Sequence, residues 1–267
     1  MVKRGISCLL ALIMLGSALV FGLPQQAQAL QYDGSASYES GVYYQRLTKV
    51  KLTGNQRKDI VAIAQSQVGY QEGSNSGQLS GEIFGKGNYT EYGRWYGLQA
   101  MWCAIFVSWA ADVADVSNKV IPKHSFTPTG LQWFKDRGRS YTRAQIIAGK
   151  YIPQPGDIVY FKSDRNKNLT NHVGIVTGYS NGYLYTIEGN ASSKGINTNG
   201  GTIARKKYSI SDKYIVAVCC PAYKGESIQK AVKTPGFFPC SCHQLNAYSD
   251  STDDAMLFTK LTWRHLS

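Results

Sequence analysis

The stretch Met101-Trp102-Cys103-Ala104-Ile105-Phe106-Val107-Ser108-Trp109 constrains the chain more than any other. One reactive side chain heads a run of small and apolar residues that continues to Val113. Such a run makes a short buried helix around which a core assembles. The Gly-rich segment that ends at Gly97 reads as a loop delivering the chain to Cys103. Cys103 is therefore expected at or near a helix N-terminus, where the positive end of the helix favours thiolate over thiol. The alternative for such a residue is a small hydrophobe in the core. What favours a nucleophile lies further along the chain.

The first residues read as a secretory signal. Lys3 and Arg4 form a basic head, Cys8 to Phe21 is almost wholly apolar, and Ala27-Gln28-Ala29 is a small-x-small cleavage site. Residues 1–29 are thus expected to be removed, leaving a secreted protein that is extracellular or associated with the cell wall. The apolar run is shorter than the ~20 residues a membrane span needs. Cys8 precedes the apolar core instead of following it, which speaks against a lipoprotein. No later stretch suits a transmembrane segment. The chain of 267 residues has a net charge of +12, with 29 Lys and Arg against 17 Asp and Glu. Losing Lys3 and Arg4 leaves 27 − 17 = +10. A basic exported protein is drawn to anionic surfaces. No basic cluster is interleaved with aromatics, so nucleic acid is not an expected partner. Cys103, Cys219, Cys220, Cys240 and Cys242 remain after cleavage, an odd number that leaves at least one unpaired. Cys103, remote from the others, is the natural free thiol, and the pairing of the other four is open.

Residues 30–54, rich in Tyr, Ser and Gly, read as an N-terminal arm or linker with one strand around 42–47. Thr53, Gly54 and Asn55 then offer caps, and Ile60, Val61, Ile63, Ala64 and Val68 recur at helical spacing. A helix over 55–68 opens the globular domain. Residues 69–100 have loop composition. Four aromatics, Tyr89, Tyr92, Trp95 and Tyr96, fall in that loop just before Cys103. Trp95, Tyr96 and Trp102 are candidates for the wall of a substrate cleft; the alternative is that they bind the loop to the core. A short helix is expected over 129–137. The period then changes to that of strands over 158–161, 173–177, 183–187, 201–207 and 214–220, with Ser180-Asn181-Gly182 as a hairpin turn. Helices followed by consecutive antiparallel strands make an α+β fold, with N-terminal helices on an antiparallel sheet. The catalytic domain is placed at 55–223 and a poorly ordered C-terminal tail at 224–267. Cys240-Ser241-Cys242-His243 is too closely set, and lacks the second half, for a metal site.

A cysteine nucleophile needs a base, and the base an orienting group. His124 sits in a Pro-rich loop and His243 and His265 in the tail, whereas His172 begins the strand His172-Val173-Gly174-Ile175-Val176. A three-residue hairpin loop pairs Tyr179 with Tyr183, so that His172 faces Asn190 and has Glu188 as its diagonal neighbour. One sheet surface then displays His172, Glu188 and Asn190. A two-residue turn shifts the register by one and sends His172 to the other face.

Residues 55–223 resemble a CHAP domain, the cysteine- and histidine-dependent amidohydrolase/peptidase module. The resemblance rests on Trp102-Cys103-Ala104-Ile105-Phe106-Val107-Ser108-Trp109, Pro155-Gly156-Asp157-Ile158-Val159, His172-Val173-Gly174-Ile175-Val176 and Ile187-Glu188-Gly189-Asn190, in that order. It implies a papain-like α+β fold with Cys103 as nucleophile and His172 as base. Glu188 would orient the imidazole, Asn190 would assist, and the Cys103 N–H would help hold the oxyanion. It also implies cleavage of bacterial peptidoglycan, at the muramoyl–L-alanine amide or within stem and cross-bridge peptides. Some members bind calcium through closely spaced Asp residues, but none cluster between Glu72 and Cys103, so no metal and no cofactor is expected. Peptidoglycan is the implied partner, with anionic wall polymers drawn by the net positive charge, and a monomer is expected. A non-catalytic cell-wall-binding module and a secreted cysteine protease with a non-wall substrate are the alternatives.

Overall fold

The computed structural model describes residues 28–30, 32–163, 169–192 and 200–226. All of the expected signal peptide except Gln28 and Ala29, nearly all of the expected tail, and Cys240 and Cys242 lie outside the described residues.

The expected arm is helical. Ser35 caps α1 (Ala36–Glu39), and α2 (Val42–Thr48) occupies the positions where a strand was expected. Tyr43 and Leu47, the buried residues of α2, are four apart, so the burial follows the helical period and not alternation. Leu30, Tyr38 and Leu47 join the main hydrophobic core. Two short strands, β1 (Gln28–Ala29) and β2 (Lys51–Leu52), pair across this segment. Glu91 fastens it further. Its carboxylate accepts from Tyr32 Oη at 3.0 Å, Ser35 Oγ at 2.7 Å and Arg94 Nη2 at 2.6 Å.

Asn55 accepts from the Lys58 N–H to start α3 (Gln56–Ser66), just inside the expected bounds. The presumed loop before Cys103 contains α4 (Glu91–Tyr96), capped by Thr90 and closed by Gly97 in the left-handed conformation at φ 83°. Its brevity and its internal Gly93 weaken the helical signal. α5 (Cys103–Val113) is buried continuously from Cys103 to Ala111, as its composition requires. α6 (Thr127–Lys135), β3 (Ser140–Thr142) and α7 (Arg143–Ile147) follow, with Thr142 and Gln145 forming a capping box on α7.

Five further strands complete the sheet: β4 (Ile158–Phe161), β5 (His172–Ser180), β6 (Tyr183–Ala191), β7 (Thr202–Ser209) and β8 (Ile215–Cys219). The order is β3-β8-β4-β5-β6-β7, antiparallel throughout. Alternation sorts the side chains. Ile158, Tyr160, Ile175 and Ile187 join the core shared with the helices. Val159, Phe161, Val176, Leu184 and Tyr208 build a second core on the other face. α5 packs on β5 and β6. Gly189 permits the approach, since a Cβ there would stand 2.6 Å from Phe106 Cβ. The fold is the expected α+β arrangement of N-terminal helices on an antiparallel sheet.

Candidate active site

Cys103 is the first residue of α5 and is 4 % exposed. Trp102 is the N-cap, and its carbonyl accepts from the Phe106 N–H at 2.8 Å. No side chain caps the helix, so its first N–H groups have no partner within the helix. The Trp102 ring is wholly buried. Its Nε1 donates to Glu72 Oε2 at 2.8 Å, and it stacks on Tyr92 at 5.6 Å. Trp102 therefore anchors the helix start from within the core and does not wall a cleft, contrary to the sequence reading. Trp95 is likewise not beside Cys103. Its Nε1 donates to Asp112 Oδ2 at 3.1 Å, close to the far end of α5 and ~13 Å along the helix from Cys103. Tyr96 shares Lys123 with Trp95, at 5.1 and 4.2 Å from the two rings.

His172 is the first residue of β5, so its ring lies at the sheet's end, where Cys103 heads α5. The ring is wholly buried, and Nε2–H donates to Glu188 Oε2 at 2.8 Å. Glu188 is held in turn by neighbours. Thr186 Oγ1 donates to Oε1 at 2.5 Å and Tyr208 Oη to Oε2 at 3.1 Å. Thr186, two residues before Glu188, shares its strand face, which is why it can reach. Gly174 makes room, since a Cβ there would lie 2.5 Å from Glu188 Cγ. Nδ1 of His172 has no hydrogen-bond partner among the described residues. With Nε2 occupied, Nδ1 is the nitrogen left to act with Cys103. Burial alone disfavours the imidazolium. The proximity of Cys103 and the hydrogen bond and charge of Glu188 outweigh burial and raise the His172 pKa from 6.5 to about 10.

The register behind this contact arises in two steps. The hairpin has a two-residue turn, Asn181-Gly182, with φ of 50° and 74°, and Ser180 pairs with Tyr183. That alone would have sent His172 to the wrong face. A bulge at Thr177, between the Val176–Thr186 and Gly178–Tyr185 pairs, takes up one residue and restores the face. The expected three-residue loop is thus corrected, while the meeting of His172 and Glu188 stands. Asn190 departs from the expectation. A second bulge, between Glu188 and Ala191, turns it to φ 53°, and its Oδ1 accepts from the Gly201 N–H at 3.1 Å. Neither imidazole nitrogen bonds to it.

The Pro155-Gly156-Asp157 motif does structural work. Asp157 is wholly buried and accepts from Arg57 Nη1 at 2.8 Å, Tyr151 Oη at 2.6 Å and the Gln154 N–H at 2.9 Å. It ties α3 to the start of β4. Burial pushes its pKa up to about 6 against the opposing pull of Arg57. Cys103, Cys219 and Cys220 are free thiols, so the unpaired state of Cys103 is as expected. Among the described residues no group of three or more His, Cys, Asp or Glu could hold a metal ion, and no helix is long and apolar enough to cross a membrane. The sequence reading missed Thr186, Tyr208, Gly174 and Glu72. Only Thr186 carried a local signal, its position two residues from Glu188.

A CHAP domain family model matches residues 94–190, a span holding Cys103, His172, Glu188 and Asn190. Over that span the chain is similar to a CHAP domain. Among solved structures it is similar to Ly7917, at 16 % identity over 62 % of this chain and 62 % of that one, with a TM-score of 0.32. It is also similar to the wild-type endolysin LysIME-EF1, at 16 % identity over 63 % of this chain and 65 % of that one, with a TM-score of 0.34. The chain thus spans under two thirds of either protein. No curated protein matches it. The CHAP match begins within α4 and ends with β6, so the helices before α4 lie outside it.

Proposed function

We propose that the protein is a secreted cysteine hydrolase that cleaves amide bonds of bacterial peptidoglycan, as a muramoyl–L-alanine amidase or a stem or cross-bridge endopeptidase. The observation that carries this is the buried Glu188–His172 pair at the helix end that presents Cys103, with the His172 pKa raised to about 10. At neutral pH the imidazole is protonated, and the nucleophile in this reading is the Cys103 thiolate. The thiolate attacks the carbonyl carbon of the scissile amide. The Cys103 N–H at the head of α5 holds the oxyanion, where one donor contributes ~2.7–4 kcal/mol. His172 passes its Nδ1 proton to the leaving amine as the C–N bond breaks, leaving a thioester. Water then gives a proton to Nδ1 and attacks the thioester, releasing the acid and restoring the thiolate. Glu188 keeps Nε2 protonated and Nδ1 as the working nitrogen.

A wall-binding module has no use for this arrangement, since a buried carboxylate and imidazole cost free energy unless something requires them. The test is digestion of purified peptidoglycan by the mature protein beside Cys103→Ser, followed by mass spectrometry. New amino termini that disappear in the variant are expected, and their identity names the bond. Equal digestion by both proteins overturns Cys103 as nucleophile. Binding of the wall without products, with the thiol shown to be reduced, establishes the binding module instead. Casein cleaved in preference to wall fragments would make the enzyme a general protease.

A further inference from the structure

At the end of the sheet where β5 begins lies a groove that the chemistry above leaves unused. It is a cavity of about 550 Å³ between α6, α7, the start of β8 and the segment before β5. Four cations line it, Lys135, Arg143, Lys162 and Lys213, with no acidic side chain beside them among the described residues. Lys135, Arg143 and Lys162 enter no salt bridge among the described residues. The rest of the wall is aliphatic, chiefly Leu131, Leu169 and Ile215. Pairing places the groove at the catalytic end of the sheet. Ile215 pairs with Phe161, and Phe161 with His172. Thr170, in the groove wall, precedes His172 by two residues, a reach of about 7 Å along an extended chain. Its backbone carbonyl accepts from Thr127 Oγ1 at 2.7 Å, which fastens the wall to α6. Thr170 is 7 % exposed, and its own hydroxyl has no hydrogen-bond partner among the described residues.

The geometry points to this groove as a subsite for an acidic peptide, taking the free carboxylates of the substrate's peptide next to the scissile amide. The inference rests on the proposed hydrolase reading and adds the substrate's charge. The volume is that of a small-ligand site. Cations alone would suit any anion. Cations set among Leu131, Leu169 and Ile215 suit a short peptide that carries carboxylates and methyl groups together. A polyol phosphodiester chain has no apolar groups to fill those positions.

Binding, measured apart from turnover, tests it. The Cys103→Ala protein is titrated with a muramoyl pentapeptide bearing free carboxylates and with the same compound after its carboxylates are converted to carboxamides. The free acid should bind more tightly, and added salt should erase the difference. Lys135→Glu/Lys213→Glu, which alters two exposed side chains, should weaken the free acid by about tenfold, as expected from a few exposed ion pairs, and leave the amidated form unchanged. Equal affinity for both peptides, or equal loss of both in the variant, overturns the subsite. Competition by a peptide-free wall phosphodiester polymer, with no preference for the acid peptide, overturns it in favour of a phosphate ligand. These outcomes are separable from the function itself. Wall digestion without carboxylate preference removes the subsite and keeps the hydrolase, and the reverse pattern does the opposite.

Discussion

The molecule holds two buried histidines whose environments diverge. His172 is wholly buried and His124 is 5 % exposed. Each has one ring nitrogen within 2.8 Å of an oxygen. For His124 that oxygen is the Pro122 carbonyl, and Nε2 accepts from Tyr160 Oη at 3.2 Å. All these partners are neutral. Burial then decides, and the His124 pKa is lowered. For His172 the oxygen belongs to a carboxylate and the other nitrogen is left to a thiol, so its pKa rises despite greater burial. Burial alone marks a histidine as structural; only a charged partner, itself held in place, makes it a buried cation.

Exchanging each histidine for Gln should separate the two most sharply. His172→Gln is expected to lower turnover on peptidoglycan by at least about 10³-fold, as loss of a general acid and base does. His124→Gln should keep turnover per folded molecule and lose about 1–3 kcal/mol of stability, because it disturbs a buried hydrogen-bonded site. Turnover lost equally in both variants would erase the distinction.

Glu188→Gln tests why His172 differs. Turnover should fall by about 10²-fold, and the imidazole titration followed by NMR should drop from about 10 toward its ordinary value. A titration that stays near pH 10 would assign the shift to Cys103 alone.

A smaller effect is expected from Gly174→Ala, which drives a methyl against Glu188 Cγ at 2.5 Å. It should displace the carboxylate and lower turnover by about tenfold to 10²-fold, as a misplaced catalytic group does. Gly130→Ala, whose methyl meets His124 and Tyr160 instead, should lower denaturant midpoints and spare turnover.

The mildest test is the pH dependence of stability. The raised pKa of His172 stabilises the fold fully below pH 6.5, and that contribution is lost as pH rises toward about 10. The lowered pKa of His124 works in the opposite sense, stabilising above pH 6.5 and failing as the solution is acidified. The stability gap between wild type and His172→Gln should therefore narrow on the alkaline side. The gap to His124→Gln should narrow on the acid side. Denaturant titrations from pH 5 to pH 10 read both.

Much of this was legible before any coordinates. Cys103 at the head of an apolar run announces its helix, and Ile158 to Phe161, a short apolar run after the Pro155-Gly156 turn, announces a strand buried on both faces. Asn181-Gly182 marks the hairpin, though its length was misjudged by one residue. The site reading survived because the Thr177 bulge compensated for that error, and the local sequence gives no reason to expect a bulge there. Trp102, Trp95 and Asn190 take partners that the sequence did not point to, for a related reason. Aromatic and polar side chains suit a cleft and a core equally, and only their partners Glu72, Asp112 and Gly201, all distant in sequence, tell the two apart.

The sequence by itself determined the α+β order, the helix that presents Cys103 and the strand that His172 begins. These follow from periodicity and capping, which act over a few neighbouring residues. Tertiary structure decided the rest: docking of the N-terminal helices through Glu91, the space that Gly174 leaves for Glu188, and the Tyr208 bond to that carboxylate. Each joins groups far apart along the chain, and their meeting depends on register and bulges that local preferences do not encode.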